Sequence, residues 1–225
     1  MADRIIEVKK ELVDMKIEAF KSLRTNLLYM DKTNVLGFTS SSANEGKTVT
    51  TFHTALSFSK LGKKVCLIDC DLRKSTLKDY IVVGGNLVGL SEFLTNQVEN
   101  IHDIVYETNA ENLSIVFTGK NPPNPSELLT TSKFNEFIEQ LREEFDYVII
   151  DTPPATIGPD ACIVGRNCDG MLVVVRSEHA KKKVLTRVKQ ELERNGIRIV
   201  GAVLNGVKRY QFNREYYYYL NYEEE

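Results

Sequence analysis

The 225-residue chain has no apolar run approaching the ~18 residues needed to span a bilayer. Residues Met1 to Lys10 are charged throughout and carry no apolar stretch of a secretory leader, so none is expected. Any role at a membrane is therefore expected to depend on a partner. Excess basic charge is missing too. The 29 Lys and Arg stand against 31 Asp and Glu, a formal net charge of −2, and charge gives no reason to expect nucleic acid as a partner. Cysteines occur only at 66, 70, 162 and 168, and neither they nor His53, His102 and His179 fall at metal-site spacings. The cysteines read as reduced thiols that behave as small apolar residues. No internal repeat and no linker divides the chain. What is present, 42% hydrophobic and 27% charged residues over the length of one domain, can bury a core without disulfides.

The apolar residues change period along the chain. Ile5, Ile6, Leu12, Val13, Ile17, Phe20, Leu23, Leu27 and Leu28 recur at near-helical spacing, which predicts a helix over 4–30. Val35 to Thr39 is a short apolar run leading into a Ser-rich loop. A helical stretch follows from about Thr48 to Leu61, and Gly62 stops it. Val65 to Asp69, Leu113 to Phe117, Tyr147 to Asp151, Met171 to Val175 and Ile197 to Leu204 read as further strands. Helical patterns such as Ser132 to Glu144 and Ala180 to Asn195 lie between most of them. This alternation predicts an α/β fold with a mainly parallel sheet covered by helices on both faces. Residues 210–225 differ. They hold six of the ten tyrosines (Tyr210, Tyr216, Tyr217, Tyr218, Tyr219 and Tyr222) and close on three Glu. With no apolar face to bury, they are expected to form a flexible tail behind a domain of residues 1–209.

Ser41-Ser42-Ala43-Asn44-Glu45-Gly46-Lys47-Thr48 follows a predicted strand and opens a predicted helix, the context of a Walker A phosphate loop. Backbone N–H groups at such a helix start point at phosphate oxygens, where the helix dipole also favours negative charge. Lys47 supplies a point charge, the Thr48 hydroxyl suits Mg²⁺, and Gly46 permits close backbone approach. Ser41 stands where the leading glycine is usual, and Asn44 tolerates positive φ better than most residues. The expected nucleotide-binding set is Ser42, Ala43, Asn44, Glu45, Gly46, Lys47, Thr48 and Thr50 of a P-loop NTPase-like domain. The bland alternative is a Ser-rich turn capping a helix.

Two predicted strands end in carboxylates: Asp69-Cys70-Asp71-Leu72-Arg73 and Asp151-Thr152-Pro153-Pro154. In open α/β sheets ligands sit at the carboxyl ends of the strands. Asp151 fits the residue that holds Mg²⁺ beside a phosphate loop. Of Asp69 and Asp71, one can hold the ion and the other accept a proton from an incoming hydroxyl. Taken alone, each Asp also fits a helix or turn cap. The basic stretch Lys181, Lys182, Lys183, Arg187 and Lys189 reads as a solvated helix face.

Together these segments resemble the Walker A, Walker A′ and Walker B motifs of the bacterial tyrosine kinases, P-loop enzymes that regulate capsule and exopolysaccharide synthesis. Glu18-Ala19-Phe20-Lys21-Ser22-Leu23-Arg24 is similar to the family's Glu-x-x-Arg-x-x-Arg oligomerisation motif, with Lys21 in place of the first Arg. Pro122-Pro123-Asn124-Pro125-Ser126-Glu127-Leu128-Leu129 resembles a family segment, and the tyrosine tail resembles its autophosphorylation cluster. The resemblance implies ATP and Mg²⁺ as cofactors. It implies Lys47, Asp69 and Asp71 as catalytic residues, with Asp69 the candidate base, and Thr48, Asp71 and Asp151 around the metal. Asn205 resembles an adenine-contacting Asn of related ATPases, and fits a strand-end cap equally well. Glu18, Lys21 and Arg24 would join subunits into a ring. The implied partners are a membrane adaptor that activates the kinase, a cognate phosphotyrosine phosphatase and no nucleic acid. The implied location is the cytoplasm, at the inner face of the plasma membrane when the adaptor recruits the chain. Ala43-Asn44 replaces the family's usual Pro-Gly, and Lys21 keeps charge without the bidentate fork of Arg. The competing class is a deviant-Walker partitioning or placement ATPase that transfers nothing to tyrosine. Those enzymes carry a signature lysine where this chain has Ser42, and they lack a tyrosine cluster.

Overall fold

The computed structural model describes residues 6–9, 18–31, 33–82 and 87–207. In chain order the strands are β1 (Glu7–Val8), β2 (Val35–Ser40), β3 (Val65–Asp69), β4 (Ile81–Val82), β5 (Val105–Glu107), β6 (Leu113–Val116), β7 (Tyr147–Asp151), β8 (Gly170–Arg176) and β9 (Ile199–Asn205). The helices are α1 (Glu18–Leu28), α2 (Lys47–Ser59), α3 (Leu90–Leu94), α4 (Pro125–Leu129), α5 (Ser132–Glu144), α6 (Asp160–Gly165) and α7 (Lys182–Arg194). Seven strands form one sheet in the order β5-β6-β3-β7-β2-β8-β9. It is parallel except at its edge, where β5 runs antiparallel to β6.

Every residue of β2 and β3 is buried, as parallel strands with both faces covered require. Successive side chains go to opposite faces. Val65 and Leu67 join Phe38, Phe52 and Phe58 on one side, while Cys66 and Ile68 join Phe134, Phe137 and Ile138 on the other. The first side is covered by α2 and the second by α3 and α5. In α5, Phe134, Phe137, Ile138 and Leu141 are buried at helical spacing, and the Thr131 hydroxyl caps the first turn by accepting from the Phe134 N–H. Each such side chain removed from water contributes about 1.5–3 kcal/mol. The four cysteines are free thiols, and burial pushes Cys168 up to about 12. Among the described residues no helix is long and apolar enough to cross a membrane.

The N-terminal expectation needs correction. Instead of one helix over 4–30, Glu7–Val8 pairs antiparallel with Ile81–Val82, and the Ile6 N–H donates to the Glu107 carbonyl at 2.8 Å. Helix begins at Glu18. Ile6 and Val8 are 4% and 0% exposed, an alternation of period two that a tertiary partner converts into strand. The remainder of the expected helix, 4–5 and 10–17, lies outside the described residues, as does the tail of residues 210–225 with Tyr210, Tyr216, Tyr217, Tyr218, Tyr219 and Tyr222. The sequence reading also missed the edge strand β5. From Glu18 onward, α1 docks on α2. Phe20 stacks on His53 at 4.9 Å, and Arg24 Nη1 donates to the Ser57 carbonyl at 2.8 Å. Glu18 and Lys21 are exposed on α1 and pair with each other.

Candidate active site

The chain passes from β2 into α2 through residues 41–46. Two residues there take left-handed backbone: Asn44 at φ 62° and Gly46 at φ 84°. Glu45 is buried, and its carboxylate accepts from the Ser41 N–H at 2.7 Å, the Ser42 N–H at 2.9 Å and the Ser41 hydroxyl at 2.8 Å. Ser41, in the leading-glycine position, is thus tied into the loop by its own side chain. From the end of β9, Asn205 Nδ2 donates to the Glu45 carbonyl at 2.9 Å. From the end of β8, Arg176 Nη1 donates to the Asn44 carbonyl at 3.1 Å. A Cβ on Gly46 would stand 1.9 Å from Asn205 Nδ2. Gly46→Ala is therefore expected to cost about 1–3 kcal/mol for its backbone conformation alone. That lowers the melting temperature by roughly 2–12 °C, with weakened nucleotide binding in a fluorescent-nucleotide titration.

The carboxylates gather beside this loop. Asp69 and Asp151 end adjacent parallel strands and are direct partners in register. Asp151, 1% exposed, accepts from Lys47 Nζ at 2.6 Å through Oδ1 and from Thr48 Oγ1 at 2.6 Å through Oδ2. The Thr51 hydroxyl adds a contact to Oδ1 at 3.3 Å. Lys47 is itself only 7% exposed, so this is a desolvated ion pair whose oxygens are all satisfied. Asp69 is 1% exposed. Burial first, and then the charge of Asp151, push its carboxyl up to about 7. Asp69 accepts from the Ser75 hydroxyl and, at 3.0 Å, from the Asp71 N–H. Burial also raises Asp71, whose Oδ1 accepts from the Lys74 N–H at 3.0 Å. A carboxylate poised near neutrality can take up a proton from a hydroxyl and give it back.

The arrangement fits a nucleoside phosphate with Mg²⁺. Gly46 caps α2 without a side-chain hydrogen bond, leaving the N–H groups of the first turn for an anion. Mg²⁺ in such sites takes one or two protein oxygens and completes its shell with phosphate and water. Thr48 and Asp151 supply that pair. Among the described residues no cluster of three His, Cys, Asp or Glu is placed to hold a metal ion.

Of the residues expected from sequence, Lys47, Thr48, Asp69, Asp71 and Asp151 therefore meet in one place. Ser42, Glu45 and Asn205 shape the loop beside them, and Ala43 and Asn44 form its exposed tip. Thr50 is buried, and its hydroxyl donates to the Gly46 carbonyl at 2.8 Å. Glu18, Lys21 and Arg24 belong to α1 rather than to this cluster. Sequence reasoning missed Ser75, Thr76 and Thr51. Two adjacent hydroxyls one short stretch beyond the A′ acidic pair, after Leu72-Arg73-Lys74, were the available signal for Ser75 and Thr76, and Thr76 Oγ1 lies 3.2 Å from that of Thr48. Thr51 was readable as one helical turn beyond Lys47.

Comparisons with known proteins agree with this geometry. Residues 37–193 match the family model of an AAA domain. The chain is 37% identical over 205 residues to the tyrosine-protein kinase CpsD of Streptococcus agalactiae, with 88% of each chain covered. The kinase domain of the Escherichia coli tyrosine kinase ETK superposes with a TM-score of 0.80 at 34% identity, covering 85% of this chain and 76% of that one. The cell division ATPase MinD of Pyrococcus furiosus superposes less well, with a TM-score of 0.65 at 25% identity, covering 76% of this chain and 71% of that one. Likeness over nearly the whole described fold, together with the phosphate loop and both acidic strand ends in one cluster, places the protein: this chain belongs to the bacterial tyrosine-protein kinase family.

Proposed function

We propose that the chain transfers the γ-phosphoryl group of ATP to its own C-terminal tyrosines, Tyr210, Tyr216, Tyr217, Tyr218, Tyr219 and Tyr222. One observation carries this reading. Lys47, Thr48 and Asp151 are hydrogen-bonded together beside a buried Asp69 whose carboxyl titrates near neutrality. Bound Mg²⁺ with ATP would supply neutralisation of the negative charge that develops on the phosphate oxygens. The chain's own residues do the rest. The N–H groups at the start of α2 bind the phosphates, and Lys47 turns its charge from Asp151 to the transferred group. Thr48 and Asp151 orient the metal, with Asp71 beside them. Asp69 orients the acceptor hydroxyl and takes its proton late, because a tyrosine hydroxyl ionises only near pH 10. Ser75 holds Asp69 Oδ2 in the resting state, and the acceptor hydroxyl replaces it there.

The wider role follows from family membership. The chain is proposed to regulate capsular or extracellular polysaccharide synthesis from the cytoplasmic face of the plasma membrane, activated there by a membrane adaptor and reversed by a phosphotyrosine phosphatase. Glu18 and Lys21, exposed on α1, are available to a neighbouring subunit of a ring, whereas Arg24 also anchors α1 to α2. Unmodified tails would bridge subunits, and phosphates at about −1.5 to −2 charges each would expel them. A switch ATPase like MinD is less favoured, since Ser42 stands where that group carries its signature lysine.

The test is incubation of the purified protein with MgATP, with and without the cytoplasmic segment of an adaptor, followed by mass spectrometry. Phosphate is expected on Tyr216 to Tyr222. Replacing all six tail tyrosines by Phe should abolish self-phosphorylation and leave nucleotide affinity unchanged. Steady ADP release with no phosphotyrosine under either condition would replace this reading with the ATPase.

A further inference from the structure

Two residues beyond Asp71, the A′ segment carries Arg73, whose guanidinium is held by a carboxylate from a distant part of the chain. Asp160, the first residue of α6, is 1% exposed. Its Oδ2 accepts from Arg73 Nε at 2.5 Å, and its Oδ1 accepts from Arg73 Nη2 at 3.2 Å. Ser126, in the first turn of α4, donates its hydroxyl to Asp160 Oδ1 and accepts from Arg73 Nη2 at 2.9 Å. Gly158 closes the other side: a Cβ there would stand 3.3 Å from Arg73 Nη2. Three side chains thus join the loop after β3, the start of α6 and the start of α4.

The location gives the cluster its meaning. Upstream of Arg73 on the same short segment lie Asp69 and Asp71. Downstream lie Ser75, bonded to Asp69, and Thr76, bonded to Thr48. The fork therefore anchors the segment at its midpoint, between the two groups of residues that touch the catalytic carboxylate and the metal-binding hydroxyl. A buried carboxylate such as Asp160 is costly unless its oxygens are satisfied, and Arg73 and Ser126 satisfy both. Among the described residues none of the three side chains hydrogen-bonds to the phosphate loop.

We propose that Asp160, Arg73 and Ser126 form a clamp that positions the A′ carboxylates for phosphotransfer without taking part in nucleotide binding. Arg73, Asp160 and Ser126 are positioning residues. The proposal rests on the kinase reading above. Displacing a reacting group by about 1 Å costs on the order of 10²-fold in rate, so loosening the segment acts on kcat. A lysine cannot reproduce the two parallel bonds of the fork, so charge alone does not replace Arg73.

The experiment compares full-length wild type with Arg73→Gln, Arg73→Lys, Asp160→Asn, Ser126→Ala and the Arg73→Gln/Asp160→Asn double variant, with Lys47→Met as the inactive control. Tail phosphorylation, fluorescent-ADP titration and thermal melting are measured on each. Arg73→Gln and Asp160→Asn should each lower kcat roughly 10–100-fold while KM for ATP and Kd for ADP stay within about twofold. Arg73→Lys should fail to restore the rate. The double variant should be no slower than Asp160→Asn, because the two residues act as one unit. Full kcat in folded Arg73→Gln would overturn the clamp, and so would losses of kcat, KM and Kd that move together with melting temperature. If Asp160→Asn does not fold, the Arg73 and Ser126 variants decide, since Arg73 is about a third exposed. A wild type that hydrolyses ATP without phosphorylating tyrosine, both with and without the adaptor's cytoplasmic segment, would overturn the kinase reading and the clamp together. An active wild type with equally active clamp variants would overturn the clamp alone.

Discussion

Lys47→Met is expected to reduce tyrosine phosphorylation by roughly 10²–10³-fold or more, the scale on which removing one preorganised charge or donor from a transition state acts. The same substitution should also destabilise the nucleotide-free protein. Lys47 Nζ is the cation 2.6 Å from Asp151, and Asp151 stands beside buried Asp69 on the neighbouring strand. Removing one partner of a buried pair leaves the other charge uncompensated, at a cost of about 3–5 kcal/mol. For a chain of this length that is on the order of 10 °C in melting temperature. Adding Asp151→Asn to Lys47→Met should recover most of the lost stability and none of the activity. The amide keeps an acceptor for Thr48 but carries no charge. Thermal melting and phosphotyrosine analysis of the two variants separate these effects. A Lys47→Met protein that melts with wild type would show that the ion pair does not hold the resting site together.

Asp69→Asn should separate stability from activity in the opposite direction. Loss of a positioned general base costs typically 10²–10⁴-fold in rate. Stability should rise instead. Burial and the neighbouring Asp151 hold the Asp69 carboxyl up at about 7, above its ordinary value of 3.8. The native state therefore keeps a proton that the unfolded chain releases between about pH 4 and pH 7. Stability must fall as pH rises through that window and stay reduced above it. Asn carries no proton to lose. The variant should melt a few degrees above wild type at pH 8, with the difference closing as pH falls toward 4. Equal melting curves at pH 8 would mean that Asp69 is not a strained carboxylate in the resting protein. The same strain supplies the near-neutral acceptor that the proposed mechanism needs, so the expected loss of stability at alkaline pH and the proposed chemistry have one physical origin.

Much of this site was legible in the sequence because its signals are local. A strand, a glycine-containing turn and a helix start within fourteen residues are enough to mark a phosphate loop. Burial of a parallel strand on both faces writes itself as an unbroken apolar run, as in Val65–Asp69 and Tyr147–Asp151. Each of those runs ends in a carboxylate to which the proposed chemistry assigns a role. Strand boundaries came within two residues for the same reason, since the period that sets them is in the neighbouring residues.

Other features depend on what lies opposite in space. Ile6 belongs to the near-helical spacing read over 4–30, and with Val8 it also belongs to a strand alternation. Pairing with Ile81–Val82 and Glu107, far along the chain, decides for strand. Glu45 reads as one of the nucleotide-binding loop residues, and only in the fold is its carboxylate found turned inward, accepting the Ser41 and Ser42 N–H groups. Asp160 carried no signal at all, because its meaning lies in Arg73, 87 residues away. The sequence by itself determined the fold class, the phosphate loop and the three acidic candidates, each written in a period or motif a few residues long. Only the tertiary structure decided that Asp69 and Asp151 are side by side, that Lys47 rests on Asp151, and that Arg73 is locked by Asp160. Those relations come from strand order and loop docking, and the burial that shifts Asp69 exists only once the sheet has closed over it.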